Sequence, residues 1–329
     1  MFAGKIYLIT GGTGSWGYEL TRQLLQHNPK QIRIFSRNEF AQVQMQRAFH
    51  ADSRLQFRIG DVRDLNALQA ACMGVDCVFH LAALKHVPIC EAQPEEALKT
   101  NVHGTSNLIT ASLAAGVEKV IDVSSDKACD PINLYGMTKA IGEKLMIHAN
   151  QPDRKTRFVC VRGGNVLGTN GSVVPFFRQQ LQTSGEITLT HGEMTRFFLT
   201  LPQAIGLLLE AHRVSIGGET FVMKMKACNI RDLADVMSRA LIGKPARCRE
   251  IGIRPGEKLH EVLVSRHESR NTYRYSEQYF AILPPHASPE LNARYASLPH
   301  VPFTEYHSNA DLMAPEDIDC LLREGGFLS

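Results

Sequence analysis

The first half of the chain alternates between two periodicities. Short apolar runs stand at 5–10, 31–35, 55–59, 76–81, 118–124 and 156–162, and helical patterns fill the gaps, the longest around 92–115. Alternation with short connections predicts an α/β fold on a doubly wound parallel sheet of the Rossmann type, because parallel neighbours need a crossover helix. From about 166 the pattern turns irregular. Gly and Pro become frequent, and Arg recurs in Met194-Thr-Arg196-Phe197 and in Ile253-Arg254-Pro-Gly-Glu257-Lys258. No low-complexity linker or internal repeat divides the chain. The predicted organisation is a sheet domain over 1–165, completed by about 195–223, with a smaller C-terminal substrate-holding lobe from 166–194 and 224–329. The tail after about 264 carries little pattern.

The first strand run, Lys5-Ile-Tyr-Leu-Ile-Thr10, leads into Gly11-Gly-Thr13-Gly14-Ser15-Trp16-Gly17 and then a helical pattern through Leu20, Leu24 and Leu25. Strand, glycine-rich turn and helix in that order give the motif its meaning: a tight turn, close backbone approach to a pyrophosphate, and a helix N-terminus facing the phosphates. The second strand run ends in Ser36-Arg37. An NAD site usually has a carboxylate near this point for the ribose hydroxyls, whereas a guanidinium suits a 2′-phosphate. NADP is therefore favoured, with Glu39 as the competing carboxylate. Asp61-Val62 follows the third strand, where an adenine edge can be read. His80-Leu-Ala82-Ala83-Leu-Lys85-His86 follows the fourth, and its small Ala residues leave room for a cofactor.

The chemistry concentrates after the fifth strand. Ser124-Ser125-Asp126-Lys127 is followed by Tyr135-Gly-Met-Thr-Lys139, and no other Tyr in the chain has a Lys four residues on. A Tyr and a Lys at that spacing share one helix face, and a neighbouring cation favours the phenolate, the form able to act as a base. The end of the preceding strand places Ser125, Asp126 and Lys127 at the mouth of the same cleft. Phenol, hydroxyl, carboxylate and amine together suffice for oxidation at one carbon and elimination at its neighbour.

A net charge of +3 without a basic block gives no indication of nucleic-acid binding. No apolar run reaches membrane-spanning length, and no secretory leader is read. The eight Cys form no Cys-x-x-Cys pair, the His show no His-Glu-x-x-His spacing, and several Cys lie in apolar runs, so no metal site is expected and a reducing cytoplasm is. Asn170-Gly-Ser172 matches a glycosylation sequon but reads as a loop turn.

Together these residues resemble the extended short-chain dehydrogenase/reductase family, and within it the inverting UDP-N-acetylglucosamine 4,6-dehydratases of pseudaminic acid biosynthesis. The similarity runs from about 5 to 263. It rests on Thr10-Gly-Gly-Thr-Gly-Ser-Trp-Gly17, Gly60-Asp-Val-Arg-Asp64, Ala82-Ala-Leu-Lys-His-Val-Pro88, Asp126-Lys-Ala128, Pro131-Ile-Asn-Leu-Tyr-Gly136, Gly171-Ser-Val-Val-Pro-Phe-Phe177, Met194-Thr-Arg-Phe197 and Gly252-Ile-Arg-Pro-Gly-Glu-Lys258. Three positions depart from the family's habit: Ser125 for Thr, Trp16 for Phe, and Gly163 where an aromatic usually stands. Tyr135 favours the inverting group, since retaining relatives commonly lack a Tyr there.

The resemblance implies a tightly bound NADP, recycled in each turnover and held by Gly11, Thr13, Gly14, Ser15, Trp16, Gly17, Ser36, Arg37, Glu39, Asp61, Val62, Ala82, Ala83, Lys85, Tyr135, Lys139 and Val166. It implies UDP-N-acetylglucosamine as substrate, met by Lys85, His86, Asn165, Ser172, Val173, Arg196, Arg254 and Glu257, and Ser125, Asp126, Lys127, Tyr135 and Lys139 as the catalytic set. Tyr135 would take the 4-hydroxyl proton during oxidation at C4, Lys127 the C5 proton, and Asp126 would protonate the departing 6-hydroxyl. Hydride would return to C6, giving UDP-2-acetamido-2,6-dideoxy-β-L-arabino-hex-4-ulose. Lys127 is the demanding step, because moving a Lys from its usual ~10.4 to about 8 takes roughly 3 kcal/mol, expected from burial, Lys139 and the nicotinamide's charge. Rival readings are a 5,6-dehydratase leaving an alkene, a 4-epimerase, and a silent NADP-binding scaffold. By the same resemblance the protein would be a cytoplasmic homo-oligomer, with no nucleic-acid or membrane partner.

Overall fold

A computed structural model describes residues 2–169 and 172–328; Asn170 and Gly171, two of the three sequon residues, lie outside the described residues. All six expected strands form: β1 (Ile6–Thr10), β2 (Gln31–Ser36), β3 (Leu55–Ile59), β4 (Cys77–His80), β5 (Lys119–Ser125) and β6 (Arg157–Gly163). They pair in parallel in the order β6-β5-β4-β1-β2-β3. β1, β4, β5 and β6 are near-continuous apolar runs because both faces are covered, whereas the edge strand β3 (Leu-Gln-Phe-Arg-Ile) alternates and leaves Ile59 exposed. On β1, Tyr7 and Ile9 enter one core with Leu20, Leu24 and Phe79, while Leu8 enters another with Val78, Leu108 and Val120.

The sheet has nine strands: the six expected runs, one from the 195–223 stretch expected to complete the domain, and two more. Thr220–Met223 lies parallel beside β6, followed by Tyr279–Ile282 and Thr272–Arg274, each antiparallel to the strand before it in the sheet. The two late strands come from the stretch expected to belong wholly to the lobe. Their fully buried Tyr279 and Ala281 join the main core and draw them onto the sheet.

The lobe has its own core of Leu167, Val174, Phe177, Ile187, Leu233, Met237 and Leu322. Around it stand a three-stranded sheet (Asn165–Val166, Thr195–Leu199, Lys226–Asn229) and a parallel pair of Glu186–Leu189 with Arg247–Glu250. The helical stretch expected around 92–115 is helical throughout 94–115 but changes its winding on the way. A π-helical turn at Leu98–His103 precedes the helix Gly104–Ala115. Of the cysteines, Cys320 is exposed and Cys248 half-buried. The other six are buried thiols, and none forms a disulfide.

Candidate active site

The strand ends of β1–β5 open on one side of the sheet, and nearly all the expected cofactor residues gather there. Gly11 takes φ +66°, and a Cβ built on it would come within 2.9 Å of the Ala82 backbone. Only a glycine lets the first turn lie against the segment leaving β4, and it leaves a cradle between them. Helix α1 (Ser15–Leu25) starts from Gly14 with no side-chain cap, so its first-turn N–H groups stay available to an anion. Trp16 packs against the core rather than into solvent. At the end of β2, Ser36 is buried and accepts from Gln42 Nε2, while Arg37 extends outward with Nη1 3.7 Å from Asp61 Oδ2. Asp61 is fixed by Arg63, with Val62 buried beside it and Glu39 exposed at the start of the next helix. Val166 is buried on the lobe strand Asn165–Val166.

The helix Leu134–His148 begins with Asn133, whose Oδ1 accepts from the Gly136 amide at 2.8 Å. The Gly after Tyr135 has a steric cause: a Cβ on Gly136 would collide with the Lys127 carbonyl oxygen. The first turn of this helix therefore rests directly on the Asp126–Ala128 turn and sets Tyr135 beside Ser125, Asp126 and Lys127. Lys139, one turn on, is buried, with Nζ 3.3 Å from Asp122 Oδ1.

Asp126 and Lys127 are not the surface pair that a strand end often carries. Asp126 is 1% exposed. Its Oδ1 accepts from Ser125 Oγ (2.6 Å), the Lys127 amide (3.0 Å) and Lys127 Nζ (3.1 Å), and its Oδ2 accepts from Nζ (3.2 Å). Lys127 Nζ also lies 3.4 Å from Glu261 Oε1.

The protonation states differ from the sequence expectation at three groups. Burial lowers the Lys127 ammonium, but Asp126 and Glu261 outweigh it, so the pKa is raised. Burial acts to raise Asp126, yet Lys127 and the Ser125 hydroxyl hold it below its usual range, ionised rather than ready to donate. Tyr135 is raised: burial dominates, and Lys139 and Lys127 only partly offset it. The resting site is thus a neutral phenol beside a carboxylate–ammonium pair.

A cleft of about 660 Å³ opens next to Lys127 and runs between sheet domain and lobe. All eight expected substrate residues line it. Lys85 and His86 form one wall; Lys85 is exposed at the rim, and desolvation with the nearby Lys127 lowers its pKa. Asn165 donates to the Phe197 carbonyl oxygen at 3.4 Å. Ser172 and Val173 begin the helix Val173–Thr183, and Ser172 Oγ is buried with no partner among the described residues. Arg254 is an exposed residue of the cleft lining, and its amide donates to Glu257 Oε2 at 3.4 Å.

Arg196 departs from expectation. Its guanidinium donates to the carbonyl oxygens of Thr195 (2.7 Å), Lys258 (2.9 Å) and Leu259 (3.1 Å) and contacts Glu257 and Glu261. With its donors committed to protein acceptors, it braces the 257–261 wall rather than offering a free fork to an anion.

Residues 7–283 match the family model described as polysaccharide biosynthesis protein. The chain belongs to this family. It is an extended short-chain dehydrogenase/reductase with the nucleotide-sugar dehydratase type of architecture. Three curated relatives illustrate the range of names. An inverting UDP-N-acetylglucosamine 4,6-dehydratase of Campylobacter jejuni is 44% identical over 86% of this chain and 84% of its own length. A UDP-glucose 4-epimerase of Rickettsia bellii is 42% identical over 82% and 80%. A Methanocaldococcus jannaschii protein named as an uncharacterized membrane protein is 43% identical over 86% and 87%. In this chain, no helix among the described residues is long and apolar enough to cross a membrane. The crystal structure of Pen from Bacillus thuringiensis superposes with a TM-score of 0.90 at 37% identity, covering 98% of this chain and 99% of that one.

Three residues of this reductase-type site were not singled out from sequence. Asn101 sits in the π-helical turn; its Oδ1 accepts from the Leu84 amide, and its Nδ2 donates to the Leu84 carbonyl oxygen and Thr138 Oγ1. It ties the Ala82–His86 segment to the Tyr135 helix. Asp122 is a fully buried charge within an apolar strand, and Lys139 answers it. Glu261 reaches Lys127 from a segment far along the chain.

Proposed function

We propose that the protein is a C5-inverting UDP-N-acetylglucosamine 4,6-dehydratase, a hydro-lyase that works with NADP. The observation that carries the reading is the pair of buried Asp126 and half-buried Lys127 beside Tyr135 at the edge of the cleft, since an epimerase needs the Tyr but has no evident use for the pair. The dehydratase relative at 44% identity supports it. Arg254, Ser172 and the start of the helix Val173–Thr183 suit the diphosphate. The resemblance adds a cytoplasmic homo-oligomer to this reading.

The cradle between Gly11 and Ala82 and the uncapped start of α1 fit a dinucleotide. Gly14 and Ser15 would receive its pyrophosphate, Arg37 and Asp61 its adenosine end, and Lys139 its nicotinamide ribose. When bound, it supplies reversible hydride acceptance. Tyr135 Oη takes the 4-hydroxyl proton as C4 is oxidised. The resulting ketone acidifies the C5 proton, which Lys127 Nζ removes. The pair must first change form: one proton moving from Lys127 Nζ to Asp126 Oδ1 across 3.1 Å turns ammonium and carboxylate into amine and carboxylic acid. Asp126 then protonates O6, and water leaves. With hydride given back to C6 by the bound cofactor, C5 would be reprotonated on the opposite face, leaving Lys127 and Asp126 as the resting ammonium and carboxylate.

Incubation with UDP-N-acetylglucosamine and mass detection tests the reading. Loss of one water is expected, with no net reduction of added cofactor. An unchanged mass points to epimerisation or inactivity. Growth of reduced-nicotinamide absorbance in step with product points to a simple dehydrogenase. An alkene instead of the 4-keto sugar, distinguished by NMR, would mean that hydride returns to C4.

The cofactor preference has its own test. Arg37 stands where an NAD site carries its carboxylate, so NADP(H) should bind more tightly than NAD(H). Arg37→Asp should reverse the order through a change of about ten- to a hundredfold in the affinity ratio, the scale of a charge-assisted contact. Equal affinities in the unsubstituted protein, measured by titration calorimetry, would remove the argument.

A further inference from the structure

Glu261 is 2% exposed and lines the cleft, yet only half of its carboxylate is used. Oε1 lies 3.4 Å from Lys127 Nζ and 3.6 Å from Arg196 Nε. Oε2 is buried and has no hydrogen-bond partner among the described residues. Its neighbour is the opposite case, since both oxygens of Asp126 accept from donors of the protein. A buried carboxylate oxygen without a donor is costly, so a site that retains one is set to receive a donor from outside. The backbone around it is firmly held: the Glu261 amide donates to Ser308 Oγ (2.9 Å), the Ser308 amide donates to the Glu261 carbonyl oxygen (2.8 Å), and Ser308 Oγ is bonded to Thr195. Such support keeps a side chain aimed rather than free to seek another partner.

We propose that Glu261 is a substrate-binding residue whose Oε2 accepts a hydrogen bond from the 6-hydroxyl of the bound sugar nucleotide, while Oε1 stays on Lys127 and Arg196. This rests on the dehydratase reading and adds a residue to it. Lys127, assigned to C5, has Asp126 and Glu261 as its two carboxylate neighbours, and the hydroxymethyl group is the substituent of C5. Drawing the O6 hydrogen toward Glu261 leaves an O6 lone pair for the proton that Asp126 delivers. The departing water then holds one hydrogen that was always on O6 and one from Asp126. Glu261 aims the leaving group and itself gains or loses no proton.

The test is a cycle between enzyme and substrate, with Tyr135→Phe in every protein to prevent turnover. UDP-N-acetylglucosamine and its 6-deoxy counterpart are titrated by calorimetry into NADP-supplemented protein with and without Glu261→Gln. The amide keeps its oxygen on Lys127 and Arg196 and replaces the charged acceptor with a neutral group. The parent nucleotide should bind about tenfold more weakly to the Gln variant, and the 6-deoxy nucleotide less than about twofold more weakly. Equal weakening of both ligands means that Glu261 only props the wall and overturns the proposal, as does coupling to a 3-deoxy analogue instead. Where the amide variant does not fold, Glu261→Asp, which keeps the charge and shortens the reach, takes its place under the same criteria. If UDP-N-acetylglucosamine does not bind even with Glu261 intact, the substrate reading falls, and this inference with it. If it binds with no difference between the ligands, only Glu261 is misassigned.

Discussion

Tyr135→Phe should abolish oxidation at C4 and water loss together, with a fall of about three or more orders of magnitude in single-turnover rate. The phenol is the group assigned to the 4-hydroxyl proton, and without the ketone at C4 the C5 proton is not acidic enough for any base in the cleft. Substrate affinity should change little, because the ring remains. The wild-type pH dependence follows from the raised pKa of Tyr135, caused first by burial. Deprotonation becomes easier as pH rises through the neutral range, so the rate of C4 oxidation should climb toward alkaline pH and level off above the phenol's pKa in the complex. Water loss from the Phe variant at an ordinary rate would move the base elsewhere, with Lys85 and His86 on the cleft wall the next to examine.

The parts of this site that sequence discloses are those carried by short-range pattern. Near-continuous apolar runs mark β1, β4, β5 and β6 because each is covered on both faces, and the Tyr135–Lys139 spacing works because one helix turn joins them. The cleft residues rest on motif resemblance, and they line one cleft because separate segments, at 85–86, 165, 172–173, 196 and 254–257, converge on it. Other features needed the fold. Asn101 looks like any polar residue in a helical pattern, and nothing local announces the π turn that aims it at Leu84. Asp122 left only the weak signal of a charge inside a buried strand, and its answer, Lys139, lies on the next helix. Glu261 meets Lys127 from a segment that lies far outside any local pattern around it. Protonation was the least legible. Tyr135 and Lys127 were expected to titrate low because cations or burial stand near them, but the outcome depends on which of burial, Asp126 and Glu261 is strongest at that spot. Arg196 likewise reads as an anion fork until the carbonyl groups of Thr195, Lys258 and Leu259 are in place around it.

Lys127→Ala and Asp126→Asn should separate the second half of the reaction from the first. In Lys127→Ala, Tyr135 and Lys139 remain, so C4 oxidation should persist at least in part and reduced cofactor should accumulate after substrate is added. Exchange of the C5 hydrogen with deuterium oxide should stop. Asp126→Asn keeps the shape but has no proton to give as an acid; C5 exchange should survive while water loss drops by about two to four orders of magnitude. The resting ion pair adds a sharper expectation. The ordinary pKa values of a Lys and an Asp differ by ~6.5, so forming the amine and carboxylic acid from the pair costs about 9 kcal/mol in water. In the cleft that cost falls only when substrate displaces water and burial disfavours both charges, so C5 exchange should require bound substrate. Because the proton passes from Lys127 to Asp126 and not to solvent, the pair neither gains nor loses a proton on activation. Only Tyr135 must ionise. The acid side of the pH–rate profile for dehydration should therefore climb about tenfold per pH unit, the slope of one proton. A climb of about a hundredfold per unit would mean that Lys127 discharges to solvent and that Asp126 draws its proton from another donor. Normal dehydration and exchange in Lys127→Ala would leave Lys127 as no more than the cation that holds Asp126 and Glu261 together.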